Sequence, residues 1–209
     1  MMQRYIAAKF RNPTGLVGRL VGNMMVRGNQ VEQEWTVSRL GIQPTDHVLE
    51  IGYGPGDALQ YAVQKARHVS GIDFSETMRQ VARKRNAAAI RAGQVELKQG
   101  EVLSMPYADA SFDKIYTIHC FYFWAKPLDV LREIQRVLKP GGLLAVTINP
   151  KDRWPRKPLP PPDLFTLYSA DEVAQLLSDA GFNEVRVETH ARPDKFPGAC
   201  ILGTKSGRV

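Results

Sequence analysis

The chain has 209 residues, 44% hydrophobic and 23% charged, with 17 Gly and three Trp; that is enough for one well-buried core and short for two. Its two cysteines, Cys120 and Cys200, stand in apolar runs without a C-x-x-C pair, which argues against a disulfide framework and a zinc site and points to a reducing cytoplasm. No apolar run approaches ~18 residues and no leader with a small-residue cleavage site is visible, so neither a membrane span nor secretion is expected.

The net charge of +7 is uneven. Residues 1–40 hold Arg4, Lys9, Arg11, Arg19, Arg27 and Arg39 against Glu32 and Glu34, and residues 150–168 hold Lys151, Arg153, Arg156 and Lys157 against Asp152 and Asp163. Such fields attract an anionic substrate, an acidic membrane surface or nucleic acid, or simply form a solvated face.

Short β-rich runs alternate with helical ones along the chain. The pattern predicts strands at 47–51, 69–72, 95–99, 112–118, 143–148, 184–188 and 199–204. Helices are predicted at 57–66, 76–91, 127–138 and 170–180. Alternation of this kind means βαβ units and a parallel sheet with helices on both faces. Ser75 is placed to cap the second helix, and Ser169 with Glu172 reads as a capping box. Gly181 reads as a helix stop, and Gly141-Gly142 as the break between the third helix and the fifth strand. Pro155 to Pro162, with five prolines, cannot be helix or central strand and is expected to be a surface loop. The link from Thr189 to Gly198 is too short for a crossover helix, so the last two strands should form an antiparallel hairpin.

The most informative segment is Val48-Leu49-Glu50-Ile51-Gly52-Tyr53-Gly54-Pro55-Gly56-Asp57, a buried strand that ends in a glycine turn and opens a helix. Glycine lets backbone approach a ligand where a Cβ would obstruct it. A dinucleotide fingerprint has G-x-G-x-x-G with its helix N-terminus on a pyrophosphate. Here the spacing is G-x-G-x-G, and Asp57 stands where the third glycine belongs and would repel phosphate. The second strand ends at Asp73, an acid positioned to accept from both hydroxyls of a ribose. A nucleoside without phosphates fits both features.

This constellation, Glu50-x-Gly52-x-Gly54-x-Gly56 followed by Asp73, resembles the class I S-adenosylmethionine-dependent methyltransferases, particularly those acting on small molecules. Gly100-Glu101-Val102, followed by Met105-Pro106-Tyr107, is similar to that family's third motif, with Glu101 where Asp is more usual. Leu138-Lys139-Pro140-Gly141-Gly142 is similar to its loop before the fifth strand. The resemblance covers about residues 48–204. It implies a Rossmann-like α/β fold with a seven-stranded, mostly parallel sheet and S-adenosyl-L-methionine as cofactor. It also implies an N-terminal lid over residues 1–40 on a catalytic domain over 41–209. Glu50 would lie near the methionine part of the cofactor, and Glu101 and Val102 would read the adenine edge. Phe74 and Met78 would flank the adenine or belong to the core. Tyr53 fills the turn or contacts the cofactor.

A sulfonium methyl is already activated, so in-line transfer needs mainly orientation, and a base only where the nucleophile must lose a proton. His119, at the end of the fourth strand, is the candidate for that base or for a substrate contact; otherwise it touches the methionine moiety through its backbone. Cys120 reads as a packed thiol. Tyr122, Phe123 and Trp124 line the site or pack under the next helix. The basic lids favour an acidic or amphipathic small-molecule acceptor. A nucleic-acid methyltransferase is disfavoured, because the Asn/Asp-Pro-Pro-Tyr/Phe motif is absent and the place reads His119-Cys120-Phe121-Tyr122. A fold of this kind also suits a nucleoside-binding protein without catalysis, since fold does not fix function. A nicotinamide dehydrogenase fits least, given the glycine spacing and Asp57.

Overall fold

A computed structural model describes residues 29–153, 161, 164–192 and 195–207. Residues 29–39 form helix α1. The remaining elements are β1 (His47–Ile51), α2 (Ala58–Val63), β2 (His68–Asp73), α3 (Glu76–Arg85), α4 (Ala87–Arg91), β3 (Val95–Gln99) and β4 (Phe112–Ile118), then α5 (Pro127–Val137), β5 (Leu138–Ile148), α6 (Ala170–Asp179), β6 (Phe182–Arg192) and β7 (Lys195–Lys205). The seven strands make one sheet in the order β3-β2-β1-β4-β5-β7-β6. β7 alone runs antiparallel, against both β5 and β6. The parallel sheet agrees with the alternation of runs, the C-terminal hairpin with the short link between the last two strands, and the whole with the Rossmann-like α/β fold that the resemblance implies.

The period-two alternation of β1 divides the core between the faces of the sheet. Leu49 and Ile51 join Ile115, Leu144 and Val146 beneath α5 and α6. Val48 joins Tyr116, Ala145 and Leu202 beneath α1 and α2, where Val37, Leu40, Leu59 and Ala62 are buried. In α5, Val130, Leu131, Ile134 and Val137 fall at helical spacing, and all four are buried. Ser169 and Glu172 form the expected capping box on α6, and Gly181 takes φ +89° just beyond the helix.

The helix expected over 57–66 spans only Ala58–Val63, and three larger departures from the sequence reading follow. The helix expected over 76–91 breaks at Asn86, whose buried side-chain amide donates to the carbonyls of Gly56 and Ala82 at 2.9 and 3.0 Å. β5 starts at Leu138 rather than Leu143. Phe112 pairs with Leu138 before the register slips to Lys114 with Leu143, and Gly141 at φ +76° absorbs the extra residues as a bulge rather than ending a helix. β6 and β7 extend well past their expected ends, so most of the link from Thr189 to Gly198 is strand. Residues 1–28 and 154–160, where most of the first lid and of the Pro-rich loop fall, lie outside the described residues.

Candidate cofactor and acceptor site

The glycine turn follows β1 at the carboxyl end of the sheet. The Gly52 N–H donates to the Ile72 carbonyl at 2.8 Å, and the Gly56 N–H to that of Tyr53 at 2.8 Å. Gly52 has φ +71° and Gly54 φ +49°, a region where a Cβ is strained. Their surroundings differ. A Cβ on Gly52 would stand 2.2 Å from Cys120 Sγ, whereas one on Gly54 would meet nothing within 4 Å. Gly54 therefore presents bare backbone to open space. Gly56 is turned the other way, toward Asn86 and Ala82 of α3, and lets turn and helix approach closely.

Asp73 ends β2 beside this turn. Its two carboxylate oxygens accept from the N–H groups of Gly54 and Ser75, each at 2.8 Å. Burial pushes its pKa up, and the two backbone donors act against that shift. The carboxylate is thus held at the cavity edge with lone pairs to spare. Glu50 lies on the same face of β1 as Val48 and accepts from the Tyr116 hydroxyl at 2.9 Å. Complete burial drives its pKa well above the usual carboxylate range, against the effect of the Tyr116 bond.

Glu50, Gly52, Tyr53, Gly54, Asp73, Phe74, Met78, Glu101, Val102 and His119 all line one cavity of about 320 Å³. Of the residues singled out in the sequence, Gly56 is not in that lining. The Tyr53 ring packs under Gly71, and its hydroxyl donates to the Lys98 carbonyl at 3.2 Å, so this side chain serves mainly to fill the turn. Phe74, 38% exposed, Leu103, Phe123, Trp124 and Ala125 line the same cavity. Asn29 and Gln33 add the face of α1.

His119 sits just past β4 with φ +57°, a strained conformation for a residue with a Cβ and a pointer to function when observed. Its N–H donates to the Thr147 carbonyl at 2.9 Å. Its Nε2 lies 2.8 Å from Oε2 of Glu32 on α1. Its Nδ1 lies 3.4 Å from the Tyr122 hydroxyl. The sequence reasoning missed Glu32. The available signal was an acid at helical spacing from Thr36 and Val37, both buried, so that Glu32 lies on the inward face.

The donor set can be tested against the expected cofactor. Among the described residues the cavity lining carries the carboxylates Glu50, Asp73 and Glu101 and no Lys or Arg. Asp57, at the start of α2, is ion-paired with Arg85 at 2.8 Å outside that lining. A wall of acidic side chains without a cation offers a pyrophosphate no counter-charge and suits an adenosine that carries positive charge on sulfur and nitrogen. The open backbone at Gly54 beside Asp73 leaves room for its ribose. The residues present fit S-adenosylmethionine.

Residues 49–146 match a known family, the methyltransferase domain. The uncharacterized methyltransferase YdaC of Bacillus subtilis is 33% identical over 135 residues, which are 64% of this chain and 72% of that protein. The O-methyltransferase cnsE of Penicillium expansum is 30% identical over 190 residues, 86% of this chain and 67% of its own length. A crystal structure of a SAM-dependent methyltransferase from Aquifex aeolicus is similar with a TM-score of 0.68 and 25% identity, covering 95% of this chain and 97% of that one. With the glycine turn, the acid at the tip of β2 and a lining that suits a sulfonium, the chain belongs to the class I S-adenosylmethionine-dependent methyltransferases, and its chemistry is methyl transfer from that cofactor to a small molecule.

Proposed function

We propose that the cavity holds S-adenosylmethionine along the tips of β1, β2 and β3 and seats a small amphipathic acceptor at the tip of β4. In this reading Asp73 accepts from the ribose hydroxyls. Phe74, Met78, Glu101 and Val102 enclose the adenine. Glu50, with the backbone of Gly52, Tyr53 and Gly54, receives the methionine portion, and Gly56 keeps the turn close to α3. Supporting it most directly is that Asp73, His119, Phe123 and Trp124 all line one cavity. The apolar rings favour a flat apolar part on the acceptor, and Asn29 and Gln33 suit its polar edge. The lack of Lys and Arg in the described lining favours an amphipathic rather than an acidic acceptor. Residues 1–40 would act as a cap on the domain over 41–209.

When bound, the cofactor supplies an electrophilic methyl carbon. The chain's part is to align the acceptor with it and exclude water. Among the described residues no helix is long and apolar enough to cross a membrane, and the two free thiols, Cys120 and Cys200, suit a reducing cytoplasm.

Calorimetry with S-adenosylhomocysteine and with NAD tests the cofactor assignment. S-adenosylhomocysteine should bind and NAD should not. Asp73→Ala should weaken the former by about 100-fold, the loss of two hydrogen bonds to a charged acceptor at ~1.5 kcal/mol each. No heat for S-adenosylhomocysteine, or equal affinity in the variant, would overturn the assignment.

A further inference from the structure

The contact between Glu32 and His119 joins an element outside the matched family region to the tip of the central strand. Both side chains are nearly buried, 5% and 11% exposed. Each is fixed from behind. The Thr36 hydroxyl donates to the Glu32 carbonyl at 2.6 Å and lies 2.7 Å from the Thr147 hydroxyl, while Val37 and Leu40 anchor the end of α1 in the core. The backbone of His119 is tied to the same Thr147. The carboxylate and the ring therefore share one support on β5.

An ionised carboxylate only accepts hydrogen bonds. A neutral His119 facing it at 2.8 Å must carry its proton on Nε2, which leaves the lone pair on Nδ1. The Tyr122 hydroxyl stands 3.4 Å from Nδ1, the outer limit for a hydrogen bond. That hydroxyl is also engaged by Asn149, accepting from its N–H in a much shorter contact and lying 3.4 Å from its carbonyl. Nδ1 is thus the weakly engaged nitrogen, on a residue that lines the cavity.

We infer that Glu32 is a positioning residue that holds His119 in the Nε2–H tautomer, so that Nδ1 takes the proton an acceptor hydroxyl or amine loses as it is methylated. The inference rests on the methyl-transfer reading above. The acceptor heteroatom bonds to the methyl carbon, the S–C electron pair stays on sulfur, and the acceptor proton passes to Nδ1. The positive charge that leaves the sulfonium reappears on the imidazolium, beside the Glu32 carboxylate. The products are S-adenosylhomocysteine, methylated acceptor and a protonated His119, which then returns its proton to water.

Long-range proton–nitrogen NMR of the full chain, nitrogen-15 labelled and saturated with S-adenosylhomocysteine at pH 8, reads the tautomer without any acceptor. Nε2 should be the protonated nitrogen and Nδ1 the bare one. In Glu32→Ala the preference should be lost, and in Glu32→Asp it should be retained. Ser38→Ala, which removes a hydrogen bond of α1 away from the carboxylate, should leave it unchanged. An Nδ1–H or doubly protonated ring in the wild type, or the same loss in Ser38→Ala, would overturn the inference. With labelled S-adenosylmethionine and a panel of phenols and primary amines as acceptor probes, Glu32→Ala should lower kcat by about 10²-fold. Its KM for the cofactor should stay within about twofold of wild type, as expected when only the proton transfer is impaired. Equal kcat would refute the role. Failure of S-adenosylhomocysteine to bind would sink the cofactor assignment, whereas binding with the wrong tautomer would sink only this inference.

Discussion

Gly52→Ala and Gly54→Ala are nominally the same change two residues apart, and the structure predicts opposite consequences. Both positions have positive φ, so each alanine costs about 1–2 kcal/mol in the left-handed region. At Gly54 the new methyl meets no protein atom within 4 Å, and the cost ends there. At Gly52 it would stand 2.2 Å from Cys120 Sγ and 3.1 Å from Cys120 Cβ. The thiol lies 3.4 Å from the carbonyls of both Gly52 and Ile118, one of which accepts its single proton, and turning aside would break that contact. Burial raises its pKa to about 12, so it stays a neutral thiol. Overpacking of this kind adds about 1–3 kcal/mol. For a chain of this length each kcal/mol lowers Tm by roughly 2–4 °C. Thermal melting without ligand should therefore place Gly52→Ala below Gly54→Ala by several degrees. Adding Cys120→Ala to Gly52→Ala should recover most of that difference, because only the 3.1 Å contact remains. S-adenosylhomocysteine binding should reverse the ranking of harm, with the more stable Gly54→Ala losing affinity because its methyl enters the cavity. Equal melting of the two single variants, or no recovery in the double variant, would refute the packing argument.

Glu50 and Arg136 give two further tests. The Glu50 carboxyl is raised by burial, so the folded state holds a proton more readily than the unfolded state and stability falls as pH rises from the ordinary carboxylate range through the raised folded value. Glu50→Gln should raise the Tm of the ligand-free protein at pH 7, with the gap to wild type closing as pH is lowered toward 5. A gap that widens on acidification would contradict the sign. Arg136 donates to the carbonyls of Tyr107 and Met105 and pairs with Asp109 and Glu133, tying down the segment after the third-motif residues. With its side chain one-third exposed, Arg136→Ala should cost about 2 kcal/mol in urea unfolding, and a loss under about 0.5 kcal/mol would remove the staple from the account.

The sequence exposed local features well. β1, β3 and β4 fall at 47–51, 95–99 and 112–118 as their apolar runs predict, because each run is short, bounded by polar residues and supported by its neighbours. The glycine turn and its contact with Asp73 were legible for the same reason, since both lie within about twenty residues of one another. Long-range effects were not legible. At the break in the helix, the Asn86 amide meets the Gly56 carbonyl from thirty residues away as well as the local Ala82 carbonyl. The early start of β5 depends on Phe112 offering a partner to Leu138 and on the Lys139 ammonium meeting Asp113 at 2.8 Å. Glu32 reaches His119 across 87 residues. In the sequence Val31-Glu32-Gln33-Glu34 the spacing from Thr36 can place Glu32 on an inward face, but nothing local says that His119 waits there.

The position of β7 bears on how the protein can be made. A chain emerging from the ribosome releases β1 to β5 first, and these five parallel strands can pair as soon as they are free. The outer edge of β5, with Leu144, Val146 and Ile148 all fated for burial, then waits unpaired while about fifty more residues are synthesised. β6 cannot close it, since β6 bonds only to β7. An open apolar edge of this kind templates pairing between nascent chains. Aggregation during expression should therefore depend on how quickly residues 195–205 follow, and a pause in translation between β5 and β7 is the step at which yield is most easily lost.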